Sequence, residues 1–257
     1  MTYLDAIILG IIEGITEFLP ISSTGHLILA GHLMGLDINS DFVKSFQIVI
    51  QMGAICAVLV LYWRSFLSVP VLLRLLCGFL PTAIIGFTLY PFLKEYLLGN
   101  PMIVVTSLAI GGLLLILFEL FYPKANEDVE QKVTDVTYKQ AFIIGLFQSV
   151  ALIPGVSRSA ATIVGGLILG LQRVTIVEFS FLLAVPTMTA ATGYDILKNY
   201  EIFSADAALL LLVGFTTAFF VALLVITSLL KFIKKHTFIP FGIYRIILAA
   251  VFFFFIL

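Results

Sequence analysis

The chain alternates long, almost uncharged apolar runs with short polar breaks. Ser45 to Trp63, Met102 to Tyr122, Ala207 to Leu230 and Phe238 to Leu257 are four such runs. At about 1.5 Å of rise per residue, a helix of ~20 apolar residues crosses the roughly 30 Å hydrocarbon core of a membrane. The pattern predicts six spanning helices, at 44–63, 73–92, 101–122, 175–195, 206–230 and 239–257, with a polar loop at 123–137 after the third. Two further apolar regions, 4–36 and 138–171, are each broken midway by Pro, Gly and a cluster of hydroxyl residues. They read as helical hairpins that enter the membrane and return.

The two broken regions overlay without a gap, Gly10–Leu36 on Gly145–Leu171. Gly10, Ser22, Ile28, Gly31, Gly35 and Leu36 then fall on Gly145, Ser157, Ile163, Gly166, Gly170 and Leu171, while Glu13 falls on Gln148. Each hairpin is followed by three spans, so the chain divides into a first repeat (1–122), a loop (123–137) and a second repeat (138–257) within one membrane domain. Three spans per unit is an odd number, which inverts the second repeat relative to the first. The fold class expected is therefore an all-α integral membrane protein of six transmembrane helices and two re-entrant hairpins in an inverted-topology repeat.

Loop charge sets an orientation for this threading. Arg64, Arg74, Lys124, Lys132, Lys139, Arg173, Lys231, Lys234 and Lys235 collect on one side, and only Lys44, Lys94 and Lys198 on the other. Cytoplasmic loops carry the excess of Lys and Arg, so the first side is cytoplasmic and both termini lie outside. Met-Thr-Tyr-Leu-Asp at the start has no basic stretch, so no cleaved signal peptide is expected.

Composition agrees: 61% of the 257 residues are hydrophobic and 11% charged, against about 25% charged in ordinary soluble domains. The net charge of -1 gives no basic surface for nucleic acid. Cys56 and Cys77 lie in apolar segments without metal or redox spacing and read as packing residues.

The chemistry concentrates at the two breaks. Glu13 and Glu17 are four residues apart and share one face of a helix. A carboxylate near the bilayer centre costs about 3 kcal/mol, and a neighbour of the same charge adds repulsion. The pair is either a structural ion pair or a site for a divalent cation, Mg²⁺ or Ca²⁺, which would also bridge phosphate. At the second break, Pro154-Gly155 ends one helix and Ser157 caps the next, so the amides of a helix start face the loop as an anion site. Arg158 can grip phosphate oxygens with two parallel bonds, and Ser159 and Thr162 add hydroxyl donors. His26, three residues after Ser23, can share its face. Gln47 and Gln51 either bond across helices or line the pocket, and Glu119, Glu178 and Arg245 read as cytoplasmic helix ends.

Type 2 phosphatidic-acid phosphatases require an Arg-Pro pair and a His at fixed spacing after Ser-Arg; neither is present. The sequence instead resembles the undecaprenyl-diphosphatase family, also called the bacitracin resistance protein family. The matching residues are Glu13 to Glu17, Pro20-Ile-Ser22-Ser23-Thr24-Gly25-His26, and Pro154-Gly155-Val156-Ser157-Arg158-Ser159-x-x-Thr162, with Gln47 to Gln51 and Phe181 to Pro186 beside them. The resemblance implies hydrolysis of undecaprenyl diphosphate to undecaprenyl phosphate on the outer face of a bacterial inner membrane, with resistance to bacitracin. It implies Glu13 and Glu17 for metal and proton transfer, Ser23 and His26 for the attack, with Ser23 the nucleophile and His26 or a metal-linked Glu its base, and Ser157, Arg158, Ser159 and Thr162 for phosphate. Ser22 matches Ser157 and is expected to cap its helix beside the phosphate. A water held by Glu17, or His26 itself, stays open as the attacker. The lipid substrate and the bilayer are the partners expected, with no nucleic acid, and a homo-oligomer is left open. The rival from another class is a transporter that flips a polyprenyl phosphate through the same midplane anion site.

Overall fold

The computed structural model describes residues 1–92, 97, 100–121, 131–198 and 205–256. Among these there is no strand. The helices are α1 (Tyr3–Thr16), α2 (Ser23–Leu33), α3 (Asp41–Leu61), α4 (Trp63–Phe66), α5 (Val69–Phe92), α6 (Pro101–Phe121), α7 (Tyr138–Ser149), α8 (Arg158–Ile168), α9 (Arg173–Lys198), α10 (Ala205–Ile233) and α11 (Ile239–Ile256). Most of the polar loop at 123–137, with Lys124, and the Lys94 loop lie outside the described residues.

Five of the expected spans, α3, α5, α6, α9 and α10, are long and apolar enough to cross a membrane. The sixth, α11, is an apolar helix of 18 residues, about 27 Å long and so just under the hydrocarbon thickness. The breaks read in 4–36 and 138–171 are present. There α1, α2, α7 and α8 have 14, 11, 12 and 11 residues, roughly 17–21 Å each, too short to cross.

Local chemistry sets these limits. Thr2 and Asp5 form a capping box at the start of α1, Thr137 and Gln140 another at α7, and Ser40 caps α3 through the Val43 amide. At the other ends, Gly35 (φ 69°) and Gly170 (φ 79°) reverse the chain after α2 and α8. There Leu36 N–H bonds the Gly31 carbonyl and Leu171 N–H that of Gly166. This helix stop needs a residue free to take positive φ, and it explains why three of the overlaid identities, Gly31/Gly166, Gly35/Gly170 and Leu36/Leu171, cluster there.

Small residues decide the packing, because backbones must approach closely where no water drives helices together. Gly10 and Gly14 of α1 lie on Gly214 and Ala218 of α10, so these helices run in the same direction. Gly145 of α7 lies on Gly78 of α5, where Thr82 donates to the Gly145 carbonyl at 2.9 Å, again in parallel. α6 and α11 meet at Gly112 and Gly242. α3 packs on α10 and α9, and α5 on α9.

One end of the bundle is tied by polar contacts. Arg173 forks onto Glu119, whose carboxylate also takes the Phe238 amide at 3.0 Å. Arg74 donates to the Val136 carbonyl, and Tyr62 to Glu178. Glu119 and Glu178 thus lie near helix ends, as their sequence context suggests. Arg245 does not: it sits inside the bundle with 0% exposure, because backbone carbonyls there satisfy it.

Candidate active site

The breaks between α1 and α2 and between α7 and α8 meet inside the bundle. The first residue before each second helix, Ser22 and Ser157, adopts φ 70° and 72°, and no other non-glycine residue among those described has positive φ. Such a conformation is costly for a residue with a Cβ and persists where its surroundings impose it. Ser157 caps α8 by accepting the Ala160 amide at 3.2 Å. Ser22 holds the capping position on α2 without a side-chain cap bond.

Polar contacts lock the two tips together. Arg158 Nη2 lies 2.9 Å from Glu17 Oε1, and its Nη1 donates to the Ser180 carbonyl at 2.9 Å. Ser23 Oγ donates to Glu17 Oε2 at 2.7 Å. Ser159 Oγ donates to the Phe18 carbonyl at 2.9 Å. Around them lies a cavity of about 120 Å³ lined by Glu17, Ser22, Ser23, Thr24, Gln51, Ser157, Arg158 and Met188, with Ala151, Pro154 and Gly155 closing it. Both carboxylate oxygens of the fully buried Glu13 lack a donor, and Arg158 Nε lacks an acceptor.

The structure brings Glu17, Ser22, Ser23, Ser157 and Arg158 to one cavity and sorts the remaining residues differently. Thr162 does not line it: its hydroxyl bonds the carbonyls of Arg158 and Ser159 and the Ser180 hydroxyl at 2.7 Å, with no exposure. Ser159 is spent on the Phe18 carbonyl. Both hydroxyls therefore join helices instead of facing an anion. Gln51 lines the cavity, and Glu13 lies one turn below Glu17, behind it.

His26 is not brought to Ser23. Its Nδ1 is 2.8 Å from the Ser22 carbonyl and its Nε2 is 2.7 Å from the Tyr244 hydroxyl. A carbonyl only accepts, so Nδ1 carries the proton and, in the neutral ring, Nε2 accepts from Tyr244. Of the two bases weighed from the sequence, a Glu and His26, the group in hydrogen bond with the Ser23 hydroxyl is Glu17. The sequence pattern does not single out Tyr244 or Ser180, gives Thr24 no role beyond its place in the matching run, and puts Arg245 at a helix end, whereas the structure buries it. For Arg245 a signal existed, since an isolated cation in a membrane helix marks a functional site by default.

A buried carboxylate, a serine in hydrogen bond with it and a guanidinium at the junction of two broken helices define a polytopic membrane protein equipped for phosphoryl chemistry. The family described as Bacitracin resistance protein BacA matches residues 6–251, and the chain belongs to it. It is 54% identical to the undecaprenyl-diphosphatase of Sulfurihydrogenibium sp. (strain YO3AOP1), over 98% of this chain and 99% of that one. It is 51% identical to that of Persephonella marina over 100% of both chains, and 48% identical to that of Aquifex aeolicus over 98% of both.

Proposed function

We propose that this chain is an undecaprenyl-diphosphatase of a bacterial cytoplasmic membrane, releasing inorganic phosphate from undecaprenyl diphosphate and returning undecaprenyl phosphate to cell-wall synthesis. Family membership and identity near 50% along the whole chain support the activity. Bacitracin resistance follows from the same activity and from the family's description.

The observation that carries the mechanism is the hydrogen-bonded series Ser23–Glu17–Arg158 across the two tips. Glu17 takes the proton of Ser23, whose Oγ attacks the terminal phosphorus. The bond to the bridging oxygen breaks, undecaprenyl phosphate leaves, and water then hydrolyses the phosphoserine. An unaided serine is a weak nucleophile, which is why the adjacent carboxylate matters. Arg158 and the amides at the start of α8 hold the phosphate oxygens.

Glu13 and Glu17 fit a divalent cation. They are two carboxylates one turn apart, buried, and Glu13 has no donor of its own. The described residues hold no cluster of three or more His, Cys, Asp or Glu, so Mg²⁺ or Ca²⁺ would take phosphate and water oxygens as further ligands. When bound, it neutralises phosphate charge and polarises the reacting bond.

The same reading places the breaks as re-entrant hairpins of an inverted repeat. What supports it is packing: α1 runs with α10, α7 with α5, and exchanging the two halves turns each pair into the other. Nine basic residues against three support a cytoplasmic Arg74–Lys132 end, outer termini and an outward-facing site.

The deciding experiment is phosphate release from undecaprenyl or farnesyl diphosphate by the purified chain in detergent. A flippase, which needs two sides, releases none.

A further inference from the structure

A guanidinium carries five N–H donors, and all five of Arg245 are spent on backbone carbonyls. Nη1 donates to Val156 at 2.9 Å and Pro20 at 3.3 Å, Nη2 to Gly155 and Ser107 at 3.0 Å each, and Nε to Leu108 at 3.4 Å. Three of these carbonyls belong to the two tips and two to α6. Gly111 makes the room, since a Cβ there would fall on the guanidinium. None of its hydrogen-bond partners among the described residues is a carboxylate, so a fully buried cation is held by peptide dipoles.

The consequence lies on the far side of those peptides. A trans peptide points its carbonyl and its N–H in opposite directions, and the chain has no cis bond among the described residues. With the Pro20 and Gly155 carbonyls on Arg245, the next amides, Ile21 and Val156, bond Leu19 and Ile153 at 2.8 and 3.2 Å. The third peptide differs. With the Val156 carbonyl on Arg245, the Ser157 N–H points away from it, has no acceptor among the described residues, and belongs to a residue lining the cavity. We infer that Arg245 is a positioning residue: it holds the Val156–Ser157 peptide in the orientation that aims the Ser157 amide at the phosphate, and so sustains the positive φ of Ser157. The inference rests on the phosphatase reading. Arg245 touches no substrate and acts through the backbone.

Val156–Ser157 is the only Val-Ser dipeptide in the chain, so protein labelled with carbonyl-¹³C valine and ¹⁵N serine gives a single doubly filtered amide signal, that of Ser157. In the unaltered protein this signal moves when inorganic phosphate is added, saturating with the inhibition that phosphate exerts on turnover. Arg245→Lys keeps the charge but cannot reach five carbonyls; it shifts the signal before phosphate is added and weakens phosphate inhibition by about tenfold or more, the weight of one hydrogen bond to a charged group. A merely structural Arg245 would reduce the fraction of active enzyme and leave the phosphate inhibition constant unchanged, and that result overturns the proposal. If Arg245→Lys does not fold, the unaltered protein decides: a Ser157 signal that ignores phosphate in a preparation that hydrolyses diphosphate defeats the inference while the phosphatase reading stands. A preparation that releases no phosphate defeats that reading instead.

Discussion

The Ser23 hydroxyl lies 2.7 Å from Glu17 Oε2, on the same carboxylate whose other oxygen holds Arg158. Glu17 is thereby fixed in rotation, with one oxygen always presented to the serine. Ser23→Ala removes the attacking atom and little else, since the hydroxyl makes no other hydrogen bond among the described residues. Turnover should fall below detection while the thermal unfolding of the detergent-solubilised protein changes little. Rapid acid quench with phosphorus-labelled substrate should trap a phosphoserine at Ser23 in the unaltered enzyme; an acid-labile adduct on His26, or none, would assign the attack elsewhere.

His26 reaches the site through the Ser22 carbonyl and the Tyr244 hydroxyl, not through Ser23. Tyr244→Phe deletes one hydrogen bond, worth about 0.5–1.5 kcal/mol, and activity should drop by no more than about tenfold. Glu17→Gln removes the base and should cost about 100-fold or more in kcat. Were His26 the base, His26→Gln would cost as much as Glu17→Gln, so comparing the two variants under saturating substrate separates the roles.

Glu13 is a buried carboxylate with no donor. Chelation should stop phosphate release, and adding Mg²⁺ or Ca²⁺ should restore it. Glu13→Gln relieves the buried charge, so the metal-free protein should unfold no earlier than the unaltered one, yet the cation concentration for half-activity should rise by at least about tenfold. Full turnover in excess chelator removes the cation from this mechanism.

Single cysteines test the sidedness. Lys132→Cys, near the end where Arg74 meets Val136, should resist an impermeant thiol reagent in intact cells, in a background lacking Cys56 and Cys77. A cysteine at Thr2 should react. Labelling of Lys132→Cys in intact cells inverts the orientation.

The spans read from the apolar runs end within four residues of the helix ends, and the residues that set those ends act locally. Thr2, Ser40 and Thr137 start helices, and Gly35 and Gly170 stop them, whatever surrounds them. The overlay of the two broken regions likewise has a local cause in the stops at Gly31–Leu36 and Gly166–Leu171. What was not legible depends on contacts far apart in sequence. His26 and Tyr244 are 218 residues apart, and the Arg245 partners come from both tips and from α6. Ser159 and Thr162 show a different limit. A hydroxyl in a membrane helix can face a ligand or bond a nearby carbonyl with equal chemical ease, and spacing alone does not reveal which.

The cavity between the tips measures about 120 Å³, well below the ~300–1,000 Å³ of pockets that enclose a drug-sized molecule. An undecaprenyl chain is too large for it, so on the proposed function the diphosphate alone would enter and the hydrocarbon would stay among the lipids. The bilayer, not the protein, thus solvates most of the substrate, and the energy that retains it near the site comes from partitioning. Length discrimination by the pocket itself is therefore weak. Short prenyl diphosphates should differ from long ones chiefly in how strongly they concentrate in the membrane or micelle, and rates referred to their surface concentration should converge.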